Sequence, residues 1–390
     1  VSLAVIGSGS VVAQTTEQLF DPSVLHEFRI FINSRDLALL REHYTENTQY
    51  PADLHWGSVR VPNVAIRSRG FGTRSPSKLG LQIDFAHYAS SQRFAGLKSL
   101  VLKNLLQDPS MLREPLAMAM FGRMGEPAPR EAFCRLYING IYEGLYVLVE
   151  DIDELFLQRT LGSRSGYLFE FHRSAGRFNG EYLGDALARY RPLFEARTHR
   201  LESDAALYGP IADLFRAVAE DADLAWHPDV TRHLDLEQFM THVAIESFVS
   251  ENDGILGHTG MNNFYLYRES SSSPHRLVVW DKDNSFYEAT MPVLERSDQN
   301  EVMRRALMIP ELRARFLQQL QRCARLAADG WWEAVLDNTA ALIDAAARED
   351  TRKPFTNEEF AADIARIRRF IQTRAAFVLQ EIERLQQLDR

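Results

Sequence analysis

The period of the apolar pattern changes near Glu150, and that change most constrains the fold. Before it, apolar and polar residues alternate in short runs: "EFRIFIN", "KLGLQIDF", "SLVLKNL" and "FCRLYINGIYEGLYVLVE". A period of two marks strands with one buried face. Asn139-Gly140 in the last run predicts a hairpin turn. "VPNVAIRSRGFGTRSPSKLGLQIDF" divides into two strands about a Gly/Ser-rich turn. Two helices interrupt this half. One is expected around Ser34 to Tyr44. The other is "DPSMLREPLAMAMFGRMG", which opens on Asp108-Pro109 and closes on Gly125. After Glu150, "DIDELFLQRTLG" reads as a short helix, and 173–226 as a polar, mixed insertion. "DLEQFMTHVAIESFVSEND" reads as an amphipathic helix that breaks at Asn252-Asp253-Gly254. "NNFYLYRE" and "HRLVVWD" then read as two antiparallel strands. From Glu301 the spacing is helical, in pieces around 301–328, 330–349 and 357–388. The expected fold class is α+β.

Composition narrows the function. The chain has 390 residues, 45% hydrophobic and 25% charged, enough for a sizeable packed core. A formal net charge of -9 argues against non-specific nucleic-acid binding, which needs a basic face. The chain has five lysines, Lys78, Lys98, Lys103, Lys282 and Lys353, and every other basic residue is arginine. Arg and Lys are not interchangeable where geometry or burial matters, so a lysine retained in an apolar context stands out. Cys134 and Cys323 fit neither a disulfide framework nor a zinc site. Two buried thiols are the default, with one long-range bridge open. Val1 to Ala13 is apolar and uncharged and runs into "VVA-QT", like the apolar region and cleavage site of a secretory signal. Residues 1–22 are therefore expected to be a signal remnant or tail, and the protein secreted, periplasmic or in the cell envelope. No other segment is apolar for long enough to span a bilayer.

The chemistry is carried by a constellation. A helix ends at Asp253, Asn262 and Asn263 follow nine and ten residues on, and a strand pair ends in Asp281-x-Asp283. Phosphoryl transfer uses such a set: one carboxylate orients the acceptor hydroxyl, while another carboxylate and an amide oxygen hold Mg²⁺. In the strand-rich half, "RSRGFGTRS" offers Arg67, Arg69, Gly70, Arg74 and Ser75 as a phosphate-binding turn. Lys78 begins the return strand, where it could reach phosphates. Glu114 could orient that lysine, as a Lys–Glu pair does in protein kinases. Glu150 ends an apolar strand where a hinge would pass an adenine.

Each residue has a plainer reading. Asp253, Asp281 and Asp283 suit turns. Lys78 suits a strand edge, and Glu114 the first turn of a helix. The arginines suit a solvated surface, and His242 and His258 suit packing.

The stretches "RSRGFGTRSPSKLGLQIDF", "FAGLKSLVLKNLLQDPSMLREPLAMAMFGRMGEPAPR", "CRLYINGIYEGLYVLVEDIDELFLQ", "GYLFEF", "NNFYLYRE" and "VVWDKDNSF" together resemble the spore-coat CotH kinase family. The C-terminal "IRRFIQTRAAFVLQEI" resembles that family's closing helix, so the resemblance spans roughly 28 to 385. It implies a kinase-like fold over 23–390. A β-rich N-terminal lobe would cover about 23–150, and a helical C-terminal lobe about 151–390. It implies dependence on ATP and on Mg²⁺ or Mn²⁺, with a protein acceptor. Carried over by position, Asp253 takes the catalytic role with Lys78 on phosphate. Asp283, then Asp281, with Asn263, hold metal. The turn is not G-x-G-x-x-G, and "DKDNSF" is not a DFG. Two other classes stay open: a non-catalytic scaffold for coat or envelope assembly, and a kinase of sugars or other small molecules.

Overall fold

The computed structural model describes residues 15–173, 176–220 and 223–388, and the apolar run at 1–13 lies outside them. The chain divides into two compact units. The first takes residues through Asn104, then Arg130–Glu150 and Ala345–Lys353. The second takes Leu105–Pro129, Asp151–Asp344 and Pro354–Arg390.

The first unit is a closed seven-stranded barrel. A helical turn, α1 (Thr16–Leu19), precedes β1 (Leu25–Ile32) and α2 (Ser34–Glu42). Then come β2 (Tyr50–Trp56), β3 (Val59–Ser68), β4 (Leu81–Asp84), β5 (Ser99–Lys103), β6 (Glu131–Ile138) and β7 (Ile141–Glu150). The order around the barrel is β1-β2-β3-β4-β5-β7-β6. It closes because β6 runs parallel to β1, from Leu25 opposite Phe133 to Ile30 opposite Ile138. Closure leaves no edge strand to pair with another chain. Alternation sets the filling: Phe28, Ile30, Ile66, Ile83, Leu100, Leu102 and Leu148 pack together, all fully buried. Asn139 and Gly140 turn β6 into β7 with φ of 50° and 83°, as the sequence requires of that hairpin.

The second unit holds α3 (Arg113–Met124), α4 (Glu154–Leu161), β8 (Tyr167–Phe171), β9 (Phe194–Ala196), α5 (Asp204–Ala219) and α6 (Asp223–Thr231). It continues with α7 (Leu236–Phe248), β10 (Phe264–Arg268), β11 (Arg276–Val279), α8 (Glu301–Ala306), α9 (Pro310–Ala328), α10 (Trp331–Glu349) and α11 (Asn357–Leu388). The last residues of α10 belong to the first unit. The four strands form an antiparallel sheet in the order β11-β10-β8-β9. No described helix is long and apolar enough to cross a membrane.

Three expectations change. The helix α3 begins at Arg113, not at Asp108-Pro109. Asp108 instead closes a turn, accepting from the backbone N–H of Ser110 (2.9 Å) and of Arg113 (2.8 Å), and Met111 sits at φ 60°. α7 is not one-sided: from Leu236 to Phe248 only Glu237 is exposed. A helix buried all round carries no amphipathic stripe. The stretch 301–328 is two helices, because Pro310 starts α9 afresh. Both cysteines are buried and unbridged, as the default reading held.

Candidate active site

The C-terminus of α7 sets the position of the Asp253 loop. Arg374 of α11, fully buried, donates to the carbonyls of Ser247 (2.6 Å), Phe248 (3.0 Å), Ala289 (2.9 Å) and Met291 (2.7 Å). It satisfies carbonyls that a helix end leaves without partners. Ser250 at φ 54° then turns the chain out of the helix.

Asp253 is the hub of that loop. Its Oδ1 meets the Arg173 guanidinium at 2.9 Å and accepts from Thr259 Oγ1 at 3.4 Å. Its Oδ2 accepts from Asn262 Nδ2 (2.9 Å) and Asn263 Nδ2 (3.3 Å). Arg173 also bonds to the Thr259 hydroxyl. The Asp253 side chain keeps 14% exposure, so the carboxylate is oriented from several sides yet open to solvent.

A buried charge cluster lies beneath. Lys282, between the two aspartates of Asp281-x-Asp283, is fully buried. Its Nζ is 2.7 Å from Glu246 Oε1 and donates to the Asn263 carbonyl at 2.9 Å. The other Glu246 oxygen accepts from the Ile255 N–H at 2.7 Å. Glu251 accepts from the Asp253 N–H (2.8 Å) and from the Ser285 hydroxyl (2.7 Å). Gly254 explains the "NDG" motif: a Cβ there would lie 2.4 Å from Glu246 Oε2. Only glycine lets the loop rest on that carboxylate. Left-handed backbone recurs here in residues other than glycine: Ser250, Asn263, Asp281, Phe286 and Arg296. Such strain persists only where the surroundings hold it, and it clusters at functional sites.

Burial and charge pull the two glutamates apart. Burial raises Glu246, but Lys282 and His242 outweigh it and bring its pKa down to about 2. Burial raises Glu251, and the Glu246 charge adds to it, so despite Lys282 its pKa reaches about 7. Burial lowers Lys282, yet the two glutamates outweigh it and the net shift is upward. Between its ordinary 4.5 and about 7, the folded protein therefore holds the Glu251 proton that the unfolded chain releases. Stability must fall as pH rises through that window. Glu246 acts in the opposite sense and lower down: its contribution is present above 4.5 and is lost as pH falls towards 2. E251Q is expected to flatten the fall between pH 4.5 and 7, read as urea midpoints against pH for both proteins.

Asp281 and Asp283 follow β11 on the far side of buried Trp280 and are both partly exposed. Asp281 has φ 50°, and Asp283 Oδ1 accepts from Asn284 Nδ2 at 2.9 Å. Carboxylate and amide oxygens are the hard donors that Mg²⁺ takes. Among the described residues, the three-ligand His/Cys/Asp/Glu group whose atoms converge within 4.8 Å is Glu170, His172 and Glu195, on and beside β8 and β9, not the aspartates. His172 and Glu195 already meet at 2.9 Å, and Arg197 meets Glu170 at 3.0 Å.

In the first unit, the residues expected to bind nucleotide mostly have structural partners. Lys78 is fully buried, its Nζ 2.6 Å from Asp350 Oδ2 and 3.0 Å from the Leu145 carbonyl, below the Tyr146 ring. Burial lowers its pKa against the pull of Asp350. This corrects the phosphate-contact reading: an ammonium sealed in an ion pair has no face left for a phosphate. Its carboxylate is Asp350, in the segment 345–353, whereas Glu114 lies on α3 in the second unit. Arg67 donates to Asn47 (3.1 Å), and Arg74 to the carbonyls of Gly70 (2.6 Å) and Glu46 (2.8 Å). Both brace the turn. Gly70 sits at φ 117°, and Phe71 beside it is 84% exposed. Arg69, like Gly70, is half-buried, and Ser75 Oγ meets Ser77 Oγ at 2.8 Å. Glu150 is paired with Arg130 at 2.8 Å, a structural tie within the barrel.

The matching model is that of the CotH kinase protein family, over residues 66–378. The chain belongs to that family. It is 23% identical over 260 residues to the inner spore coat protein H of Bacillus subtilis (strain 168), a match covering 66% of this chain and 67% of that protein. It also aligns with the crystal structure of the Helicobacter pylori proinflammatory kinase CtkA, at TM-score 0.34 and 10% identity. That alignment covers 80% of this chain and 95% of the other. The CotH match takes in the Gly turn, the Asp253 loop and the Asp281-x-Asp283 turn of this family member. Sequence reading missed Arg173, Glu246, Glu251 and Asp350. Lys282 carried a signal, being one of five lysines and flanked by two aspartates.

Proposed function

We propose that this CotH family member is an ATP- and Mg²⁺-dependent phosphotransferase whose acceptor is a Ser or Thr hydroxyl of a secreted, coat or envelope protein. The strand-rich and helix-rich parts serve as the two lobes of a kinase-like enzyme. The observation that carries the reading is the Asp253 carboxylate, oriented by Arg173, Thr259, Asn262 and Asn263 and left open to solvent. Asp253 aligns the acceptor hydroxyl and takes its proton. Asp283, with Asp281 and the Asn263 amide oxygen, would hold the metal, which when bound would neutralise phosphate charge. Lys103 is the better phosphate lysine. It ends β5 on the face opposite Leu102, is half-buried, and precedes α3 with Glu114 along the chain. That order of strand lysine and helix glutamate is the one protein kinases use.

The engagement of Asp253 by an arginine also suits a second reading, a coat-assembly scaffold with this fold. Metal removal separates the two. With EDTA present, phosphate transfer from ATP is expected to vanish and to return with Mg²⁺ or Mn²⁺. A protein that transfers no phosphate with either metal is not the enzyme proposed.

A further inference from the structure

We propose that Lys282 and Glu251 are positioning residues that together lock the metal-binding turn to the Asp253 loop. The inference rests on the phosphotransferase reading and adds to it the device that sets the site's geometry. In a short turn such as Asp281-Lys282-Asp283 a lysine is expected to reach solvent. Here it is the reverse: the lysine is fully buried while both neighbours remain partly exposed. The left-handed backbone of Asp281 accompanies that inversion.

Lys282 Nζ joins three segments. Glu246, at 2.7 Å, stands on α7. The Asn263 carbonyl, at 2.9 Å, lies at the end of the Asp253 loop. Glu246 in turn holds the Ile255 N–H at 2.7 Å, two residues past Asp253. Glu251 closes a second link, from the Asp253 N–H (2.8 Å) to the Ser285 hydroxyl (2.7 Å) two residues past Asp283. The Asn252 N–H reaches the Asn284 carbonyl at 3.3 Å, and the Phe286 N–H reaches the Val249 carbonyl at 2.7 Å. The two loops are thus tied by two buried carboxylates, one buried ammonium and a pair of backbone bonds. None of these side chains is open to solvent, so none is placed to touch substrate. Their effect is on where the carboxylates of Asp253, Asp281 and Asp283 stand. A reacting group misplaced by about 1 Å loses on the order of 100-fold in rate.

The test uses the full chain with K282M and S285A. Thermal midpoint, kcat, KM for ATP, and Mn²⁺ affinity by electron paramagnetic resonance are measured for each at a temperature where it is folded. K282M is expected to lose roughly 100-fold in kcat and to bind Mn²⁺ more weakly. S285A, which cuts only the Glu251 link, is expected to lose several-fold in kcat with its thermal midpoint close to wild type. A folded K282M with wild-type kcat and Mn²⁺ affinity overturns the proposal, however far its midpoint falls. If K282M does not fold, S285A decides, and an unchanged kcat there overturns it. If wild type binds Mn²⁺ but transfers no phosphate, the phosphotransferase reading fails. The lock then stands or falls on Mn²⁺ affinity alone, in K282M or, if that variant does not fold, in S285A. If wild type neither binds Mn²⁺ nor transfers phosphate, both fall.

Discussion

D253N is expected to abolish phosphate transfer while leaving the protein folded. The amide keeps one oxygen for the donors around it, and the site is partly open to water, so the loop need not collapse. Proton acceptance and alignment of the acceptor are lost, a contribution of roughly 100- to 10,000-fold in rate. Asn262 and Asn263 donate to Oδ2, and Arg173 and Thr259 to Oδ1. Asparagine must therefore present an N–H to one of these pairs, which costs local order but not the core. Circular dichroism and the thermal midpoint should match wild type within a few degrees, with kcat lost. A scaffold would show unchanged partner binding in the same variant.

K78M and D350N are expected to fail differently, by destabilising the barrel. Both side chains of the pair are fully buried. Asp350 does more than pair with Lys78. Its Oδ2 accepts from the Leu145 N–H at 3.0 Å, and its Oδ1 from the N–H groups of Arg352 (2.9 Å) and Lys353 (3.2 Å). Around it, Tyr142 donates to the Ala346 carbonyl at 2.9 Å, and Arg352 meets Glu143 at 3.1 Å. The segment 345–353 is thus stapled to β7 by the Asp350 carboxylate, the Tyr142 hydroxyl and the Arg352–Glu143 pair. Removing one partner of such a pair leaves the other buried and uncompensated, at on the order of 3–5 kcal/mol. A fall of roughly 10 °C in the thermal midpoint follows. The double variant K78M/D350N should recover part of what K78M loses, because it removes the stranded charge and keeps an amide oxygen for the backbone N–H groups. Lys78 acting on phosphate would instead give K78M a wild-type midpoint and no activity.

These residues show why some of the site was legible and some was not. The barrel strands announced themselves through alternation, and Asn139-Gly140 through turn chemistry. Asp253 and Asp281-x-Asp283 were visible because polar turns beside apolar elements are local patterns. Lys78 was visible too, but its role was not, because its partner lies 272 residues away. No local pattern marks Asp350 as a buried carboxylate. Glu246 and Glu251 looked like the polar face of an amphipathic helix. They became a charge cluster only because α7 is buried all round and Lys282 turns inward beneath it. Arg374 likewise reads as one more arginine on a long helix until the carbonyls it gathers are seen.

The central claim is that this chain moves a phosphoryl group. It is tested most directly by incubating the full chain with γ-labelled ATP and Mg²⁺, alone and with a mixed Ser/Thr protein acceptor, beside D253N. Label in protein with wild type, absent with D253N and absent with EDTA, is the predicted result. No label above the D253N background under any of these conditions, with both proteins folded, would contradict it.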